Sequence, residues 1–143
     1  MRKIVFDSNI YDLLEEDQET TSLVRRTILA GSISVLMPRQ VAQELRRRPN
    51  GLPDLFPVVH TGHAVARAGL MRAGDFLGRG KVFDKHKGNS TKDADAFIVD
   101  VAAMAADWFV SEDRRCIARF PKALRCVPLS YADFSAMLRT QTN

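Results

Sequence analysis

Short apolar segments without polar alternation are the feature that most constrains the fold of this chain. Ile4-Val5-Phe6 is β-branched or aromatic throughout and ends at an aspartate. A run of this kind is typical of a strand that is covered on both faces, as in a parallel sheet. Four further segments are candidates for such strands, at 33–37, 56–59, 108–110 and 125–129. We therefore predict five short strands.

Helical segments separate these strands along the chain. They are predicted at 9–30 in two pieces, 39–48, 62–77, 91–106, 112–119 and 130–139, the last with Ser130 as its N-cap. Alternating strands and helices predict one α/β domain over residues 1–143, with a central parallel sheet of about five short strands and helices on both faces. The reactive crevice of such a sheet lies beyond the carboxyl ends of its strands.

Composition limits the class of protein more than its function. The chain is 45% hydrophobic and 27% charged, which is typical of a globular domain that folds without disulfides or structural metals. Its net charge of +4 is compatible with a polyanionic partner but does not demand one. The spacing of Cys116 and Cys126 predicts buried thiols rather than a redox pair. The N-terminal apolar run is too short for a signal peptide, and no run reaches the roughly 18 residues of a membrane helix, so we expect a cytoplasmic protein with no membrane contact.

Acidic residues follow two of the predicted strands directly. Asp7 comes after Ile4-Val5-Phe6, and Ser111-Glu112-Asp113 comes after 108–110. Acids at these positions face the crevice of a parallel sheet. The alternative for Asp7 is a purely structural role as a helix N-cap.

Two predicted helices contribute further acids. Glu44 lies in the helix after the second strand, where a solvated ion pair with arginine is the alternative. Asp95 falls on the apolar stripe of 91–106, where a carboxylate is costly unless it is paired or bound to a cation. An acid that serves only the helix dipole is the alternative there. Acids crowded into one pocket would be neutralised by Mg²⁺ or Mn²⁺, whereas His60, His63 and His86 lack the spacing of a zinc site.

Four motifs together resemble those of a known family. They are Phe6-Asp7-Ser8-Asn9, Glu44 in Val-Ala-Gln-Glu-Leu, Asp95 in Asp-Ala-Phe-Ile-Val-Asp-Val-Ala, and Ser111-Glu112-Asp113. In this order the chain resembles PIN-domain ribonucleases, most closely the VapC toxins of toxin–antitoxin pairs, over nearly its whole length. The resemblance implies a PIN-like three-layer domain with Asp7, Glu44, Asp95 and Asp113 as catalytic acids. Of these, Asp7, Asp95 and Asp113 would bind metal, with Asn9 and Ser111 as supporting polar residues. Whether Asp93 replaces or assists Asp95 stays open.

The activity implied by the resemblance is a Mg²⁺- or Mn²⁺-dependent endoribonuclease that leaves a 5′-phosphate and a 3′-hydroxyl. Its implied partners are RNA, a cognate antitoxin and a second copy of the chain. Basic residues near the acids and in the Gly-rich segment 74–92 are candidates for RNA phosphate contacts. They are Arg46, Arg47, Arg48, Arg79, Lys81, Lys85, Lys87, Arg114 and Arg115. For each of them a solvated surface charge is the alternative.

Other functions compete with the toxin interpretation. They are a stand-alone PIN nuclease of RNA processing, a non-catalytic RNA- or protein-binding PIN module, and a metal-free ribonuclease using His60 and His63. The predicted homodimer draws on the apolar character of the early helices, which contain Leu13, Leu14, Leu23, Val24, Ile28 and Leu29. The alternative is that these side chains all pack on the sheet.

Overall fold

A computed structural model describes residues 1–61, 102, 105–120 and 125–142. Within these residues the strands are β1 (Arg2–Phe6), β2 (Ile33–Pro38), β3 (Val59–Thr61), β4 (Trp108–Val110) and β5 (Val127–Leu129). The helices are α1 (Ser8–Glu16), α2 (Gln18–Leu29), α3 (Arg39–Arg46), α4 (Arg114–Arg119) and α5 (Tyr131–Gln141). The strand order is β3-β2-β1-β4-β5, and every neighbouring pair is parallel. The predicted α/β fold with a parallel sheet of five short strands is confirmed.

Helices cover both faces of the sheet. Neighbouring residues of a strand point to opposite faces, so consecutive residues of β1 show what packs on each face. Phe6 of β1 packs edge-to-face against Tyr11 of α1 and Phe134 of α5, with ring centroids 5.8 and 5.1 Å away. Val5 points to the opposite face, and its register partner on β4 is Phe109. Phe109 stacks at 5.6 Å on Phe120, which follows α4. The sheet is therefore the middle layer of three.

The order of the strands reverses between β1 and β4, and this determines which strand ends meet. β2 and β3 lie on one side of β1, whereas β4 and β5 lie on the other. Phe6 is in register with Val110, and the backbone N–H of Asp7 donates to the carbonyl of Val110 at 2.9 Å. The residues that follow β1 and β4 therefore lie side by side at the carboxyl edge, where α/β sheets form their crevice.

The third strand differs from its prediction. The strand expected at 56–59 runs instead from Val59 to Thr61. Phe56 lies in the loop before it and is buried, with its ring centroid 6.0 Å from that of Phe6. The apolar character of Phe56 thus serves core packing, which a loop side chain can also provide. Pro57 has no N–H to donate to a sheet ladder, so pairing begins beyond it.

The predicted helix bounds agree with the structure to within a few residues. The helix expected from 112 begins at Arg114 with Asp113 as its N-cap, and Ser130 caps α5 as predicted. The prediction at 62–77 lies outside the described residues. So does the prediction at 91–106, apart from Ala102 and Ala105, which are helical, and the buried Ala106.

The early helices bury most of the apolar surface on which the expected homodimer was based. Leu14, Leu23 and Val24 belong to the buried core, and Leu13 and Ile28 pack partly against it. Of the six residues in that set, Leu29 alone stands largely in solvent, at 76% exposure. The prediction that these helices leave a surplus of exposed apolar surface is therefore wrong, because α2 is covered by α5 as well as by the sheet.

Both cysteines have the environment that their spacing predicted. Cys116 and Cys126 are free thiols, and both are buried. Across the part of the chain that the structure describes, no helix has the length and apolarity needed to cross a membrane.

Candidate active site

Within the part of the chain that the structure describes, two side-chain hydrogen bonds hold Asp7 at the carboxyl end of β1. Its Oδ1 accepts from the backbone N–H of Ser8 at 2.8 Å, which makes Asp7 the N-cap of α1. Its Oδ2 accepts from the hydroxyl of Ser111 at 2.8 Å. Asp7 is only 6% exposed, and Ser111 is fully buried. The capping role is therefore real, and it coexists with a second contact that capping does not explain.

Asp113 joins the same cluster through Ser111. The backbone N–H of Asp113 donates to the Ser111 Oγ at 3.0 Å, while the Ser111 hydroxyl donates to Asp7. A serine hydroxyl has one proton and two lone pairs, so it can make both bonds at once. The carboxylate of Asp113 caps α4, with Oδ1 accepting from the N–H of Arg115 at 2.9 Å. The Ser111 hydroxyl therefore links the Asp7 carboxylate to the backbone of Asp113, 106 positions further along the chain.

Glu44 is tied to the same edge by Ser8. The Ser8 hydroxyl donates to Glu44 Oε2 at 2.6 Å, a short bond of the kind a charged acceptor makes. Ser8 directly follows Asp7, so this bond fixes the acid of α3 beside the end of β1. Sequence reasoning missed the role of Ser8. Its signal was its place in Asp7-Ser8-Asn9, directly after a predicted strand, where a polar side chain can cap the next helix or face the crevice.

Arg48 does not provide the local ion pair that was the alternative role for Glu44 flanked by arginines. Its guanidinium forms ion pairs with Asp12 and Glu15 of α1, and its side chain is only 21% exposed. These hydrogen bonds, the one to Glu15 foremost, raise the pKa of Arg48 above its ordinary value. Arg48 thus joins the turn after α3 to α1, and it is a poor candidate for the RNA contact expected from its sequence position.

Asn9 and Glu112 connect the cluster to the start of α5. The N–H of Glu112 donates to Asn9 Oδ1 over a long 3.5 Å, and Glu112 Oε1 accepts from the N–H of Tyr131 at 2.7 Å. Asn9 therefore contacts the loop after β4, and its role as a supporting polar residue of a metal site stays a prediction. Glu112 was not predicted as a site residue. Its carboxylate stabilises the N-terminus of α5, where a negative charge is favourable.

Several predicted site residues lie outside the described residues. They are Asp95 with its alternative Asp93, the basic residues Arg79, Lys81, Lys85 and Lys87, and the histidines His63 and His86. In the described ranges, no three His, Cys, Asp or Glu side chains are grouped so that they could hold a metal ion. What these ranges supply is oxygen donors on Asp7, Asp113 and Glu44, and carboxylate oxygens are the ligands that Mg²⁺ prefers.

Exposed basic side chains follow two of these acids along the chain. Arg46 and Arg47 at the end of α3 are exposed, as are Arg114 and Arg115 directly after Asp113. Because they are exposed, their guanidinium groups are accessible to the phosphates of a nucleic acid.

Comparison of the chain with protein-family models, curated proteins and solved structures finds no match.

Proposed function

We propose that this protein is a Mg²⁺- or Mn²⁺-dependent endoribonuclease of the PIN type, which hydrolyses RNA to leave a 5′-phosphate and a 3′-hydroxyl. The observation that carries the proposal is the Ser111 hydroxyl, which donates to the Asp7 carboxylate and accepts from the backbone N–H of Asp113. It ties the residues after β1 and β4 to each other at the point where the strand order reverses, which is where α/β proteins bind ligands. The four sequence motifs supply the family resemblance.

Each acid has a distinct role in this proposal. Asp7 and Asp113, with Asp95, would hold the metal ion, and Ser111 links the Asp7 carboxylate to the backbone of Asp113. Glu44, anchored by Ser8, orients the attacking water at the same edge. A bound magnesium ion would lower the pKa of a water molecule and neutralise charge on the phosphoryl oxygens. Arg114 and Arg115 contact the RNA backbone next to the cleaved bond.

Substitution of Asp7 tests the proposal directly. We expect Asp7→Asn to lower RNA cleavage at least about 100-fold, beyond the 10–100-fold typical of residues that only support a metal ligand. The fold should persist, because asparagine caps a helix about as well as aspartate. Asp54→Asn, in an exposed loop, is the matched control and should cleave normally. Cleavage and thermal melting are measured on all three proteins.

The metal requirement is tested on the same preparations. Cleavage by the wild type should stop in EDTA and return with Mg²⁺ or Mn²⁺.

Two results with Asp7→Asn would contradict the assignment of the site. Full activity would overturn it, and a loss of folding would show that Asp7 acts only as a helix cap. Cleavage that survives chelation would point to a metal-free mechanism using His60 and His63. A substrate with a 2′-deoxy sugar at the cleaved position would then be resistant, since that mechanism needs the 2′-hydroxyl.

The resemblance extends the proposal to partners and location. We infer that the enzyme is a cytoplasmic toxin kept silent by a cognate antitoxin, and that it works as a homodimer. Expression should arrest cell growth, and co-expression of the antitoxin gene next to it should restore growth. Light scattering at micromolar concentration should give twice the 16.0 kDa mass of the chain. A monomer would reject the dimer, and growth without arrest would favour a stand-alone RNA-processing nuclease.

A further inference from the structure

The three residues that follow β4, Ser111–Asp113, form a short loop, the β4 loop, which side-chain hydrogen bonds hold on both sides. Towards β1, the Ser111 hydroxyl donates to the Asp7 carboxylate at 2.8 Å. Towards β5, Oε1 of Glu112 accepts from the backbone N–H of Tyr131, the first residue of α5, at 2.7 Å. The middle residue of the β4 loop therefore ties it to a helix, while the first residue ties it to Asp7.

The bond made by Glu112 meets a need of α5. The first N–H groups of a helix have no acceptor within the helix, so their partners come from outside it. The N-cap Ser130 accepts from the N–H of Asp133 at 3.2 Å, and Glu112 serves the N–H of Tyr131 from 19 positions earlier in the chain. A carboxylate makes shorter and stronger hydrogen bonds than a neutral acceptor, and its charge is favourable at this end of a helix. The β4 loop and α5 thus stabilise each other.

Helix α5 is a firm anchor for the β4 loop, because its inner face lies in the core. Phe134 is fully buried and packs edge-to-face on Phe6, with ring centroids 5.1 Å apart. Leu138, one turn further along α5, is fully buried as well. The Tyr131 hydroxyl donates to Asp17 at the junction of α1 and α2, at 2.8 Å. A loop that is tied to the start of α5 is therefore tied to the core of the protein.

We propose that Glu112 is a positioning residue for the metal ion, because it ties the β4 loop to α5 and so keeps the backbone of Asp113 in place beside that of Asp7. The inference rests on the proposed function, since it assumes that Asp7 and Asp113 bind one metal ion together. Glu112 acts through the β4 loop and is not itself a ligand. Residues that orient metal ligands contribute about 10–100-fold to metal affinity, and an effect passed through the backbone belongs at the lower end of that range.

Binding of Mn²⁺ to the full chain tests the inference without RNA, and the EPR signal of the unbound ion measures it. We expect Glu112→Ala to weaken Mn²⁺ binding about 10-fold. Glu112→Gln keeps an oxygen acceptor for the N–H of Tyr131. A bond to a neutral acceptor is about half as strong as one to a carboxylate, so this variant should lose half of the effect on the free energy and weaken binding only about 3-fold. Both variants lose the same charge, and the difference between them therefore reports the hydrogen bond.

Asp133→Ala is the matched control. Asp133 is an exposed acid in the first turn of the same helix, so its loss removes a similar favourable interaction with the helix dipole. In the described ranges its side chain makes no hydrogen bond to the β4 loop. Thermal melting should show both alanine variants folded and slightly less stable than the wild type, whereas only Glu112→Ala should bind Mn²⁺ more weakly. Equal weakening in both would overturn the inference, because charge at this end of α5 would then explain the effect.

The Mg²⁺ dependence of RNA cleavage separates positioning from a general loss of folded protein. In Glu112→Ala the Mg²⁺ concentration for half-maximal cleavage should rise about 10-fold, while the rate at saturating Mg²⁺ stays close to that of the wild type, because excess metal fills the weakened site. A general structural effect would instead lower the rate at every Mg²⁺ concentration, which would overturn the inference. Equal losses in Glu112→Gln and Glu112→Ala would overturn it too, since Glu112 would then act by its charge or as a direct ligand.

The two measurements together separate this inference from the proposed function. If Mn²⁺ binding changes as expected but the wild type does not cleave RNA, the positioning role stands and the nuclease proposal fails. If the wild type cleaves RNA in Mg²⁺ and Glu112→Ala binds metal normally, the nuclease proposal stands and the positioning role fails. A wild type that binds no Mn²⁺ overturns both.

Discussion

Asp17 shows how one side chain can organise three helices. It is the C-cap of α1 and the N-cap of α2. Its carboxylate accepts from the N–H and the hydroxyl of Thr20, at 3.1 and 2.7 Å, and from the hydroxyl of Tyr131 in α5, at 2.8 Å. The bonds from Thr20, followed by that from Tyr131, hold the pKa of Asp17 below its ordinary value of 3.8. Burial and this bond raise the pKa of Tyr131 to about 12.

This geometry predicts a pH-dependent effect of Asp17→Asn. A carboxyl group whose pKa is lowered by folding adds stability above its unfolded pKa and loses it as the pH falls through the folded pKa. At pH 6 the variant should be less stable by about 1 kcal/mol, the net value of a hydrogen bond. The difference should shrink as the pH falls below 3.8. Melting of wild type, variant and the Asp54→Asn control at pH 6, 4 and 3 measures it, and a difference that is independent of pH would contradict the role of the charge.

At the scale of elements, Arg48 joins α1 to the turn after α3. Its two acidic partners, Asp12 and Glu15, lie on one face of α1 at a spacing of three residues. Helices α1 and α3 are themselves joined by the bond between Ser8 and Glu44. The packing of α1 on α3 is thus fixed at two points, one of them in the candidate active site.

Arg48→Gln should therefore affect stability and not RNA binding. We expect a loss of about 1 kcal/mol in the free energy of unfolding, at the upper end for exposed ion pairs because one cation serves two acids. The slope of log affinity for RNA against log salt should stay that of the wild type. Urea denaturation and the fluorescence anisotropy of a labelled RNA measure the two effects, and Arg125→Gln, which loses a single exposed pair with Asp107, should be destabilised less. A reduced salt slope for Arg48→Gln would restore it as an RNA contact.

At the scale of the whole molecule, burial controls the reactivity of the thiols. Cys116 and Cys126 are both in the core, and burial raises the pKa of Cys126 to about 12. Because the thiolate is the reactive form, we expect neither thiol to react with Ellman's reagent in the native protein. In guanidinium both should react within the mixing time. Rapid labelling of the native protein would show that the core opens locally at β5 or α4.

The sequence allowed much of the fold to be predicted because the signals are local. The apolar runs of β1, β2 and β4 and the caps Asp7 and Ser130 each depend on a few adjacent residues, and they lie where predicted. The same reasoning predicted a strand around Phe56 wrongly, since an apolar residue in a loop can enter the core as well as one in a strand. It also predicted too much exposed apolar surface on α1 and α2, because no local pattern reveals that α5 covers α2.

The candidate site was likewise predictable in part from local sequence and in part only from the tertiary structure. The sequence by itself determined which acids follow strands and that parallel strands would bring such residues to one edge. Only the tertiary structure decided that β4 pairs with β1, which places Ser111 between Asp7 and Asp113, and that Ser8 reaches Glu44. The physical reason is that strand order and helix packing are set by contacts between segments far apart in the chain, and the pattern within each segment is the same for several such orders.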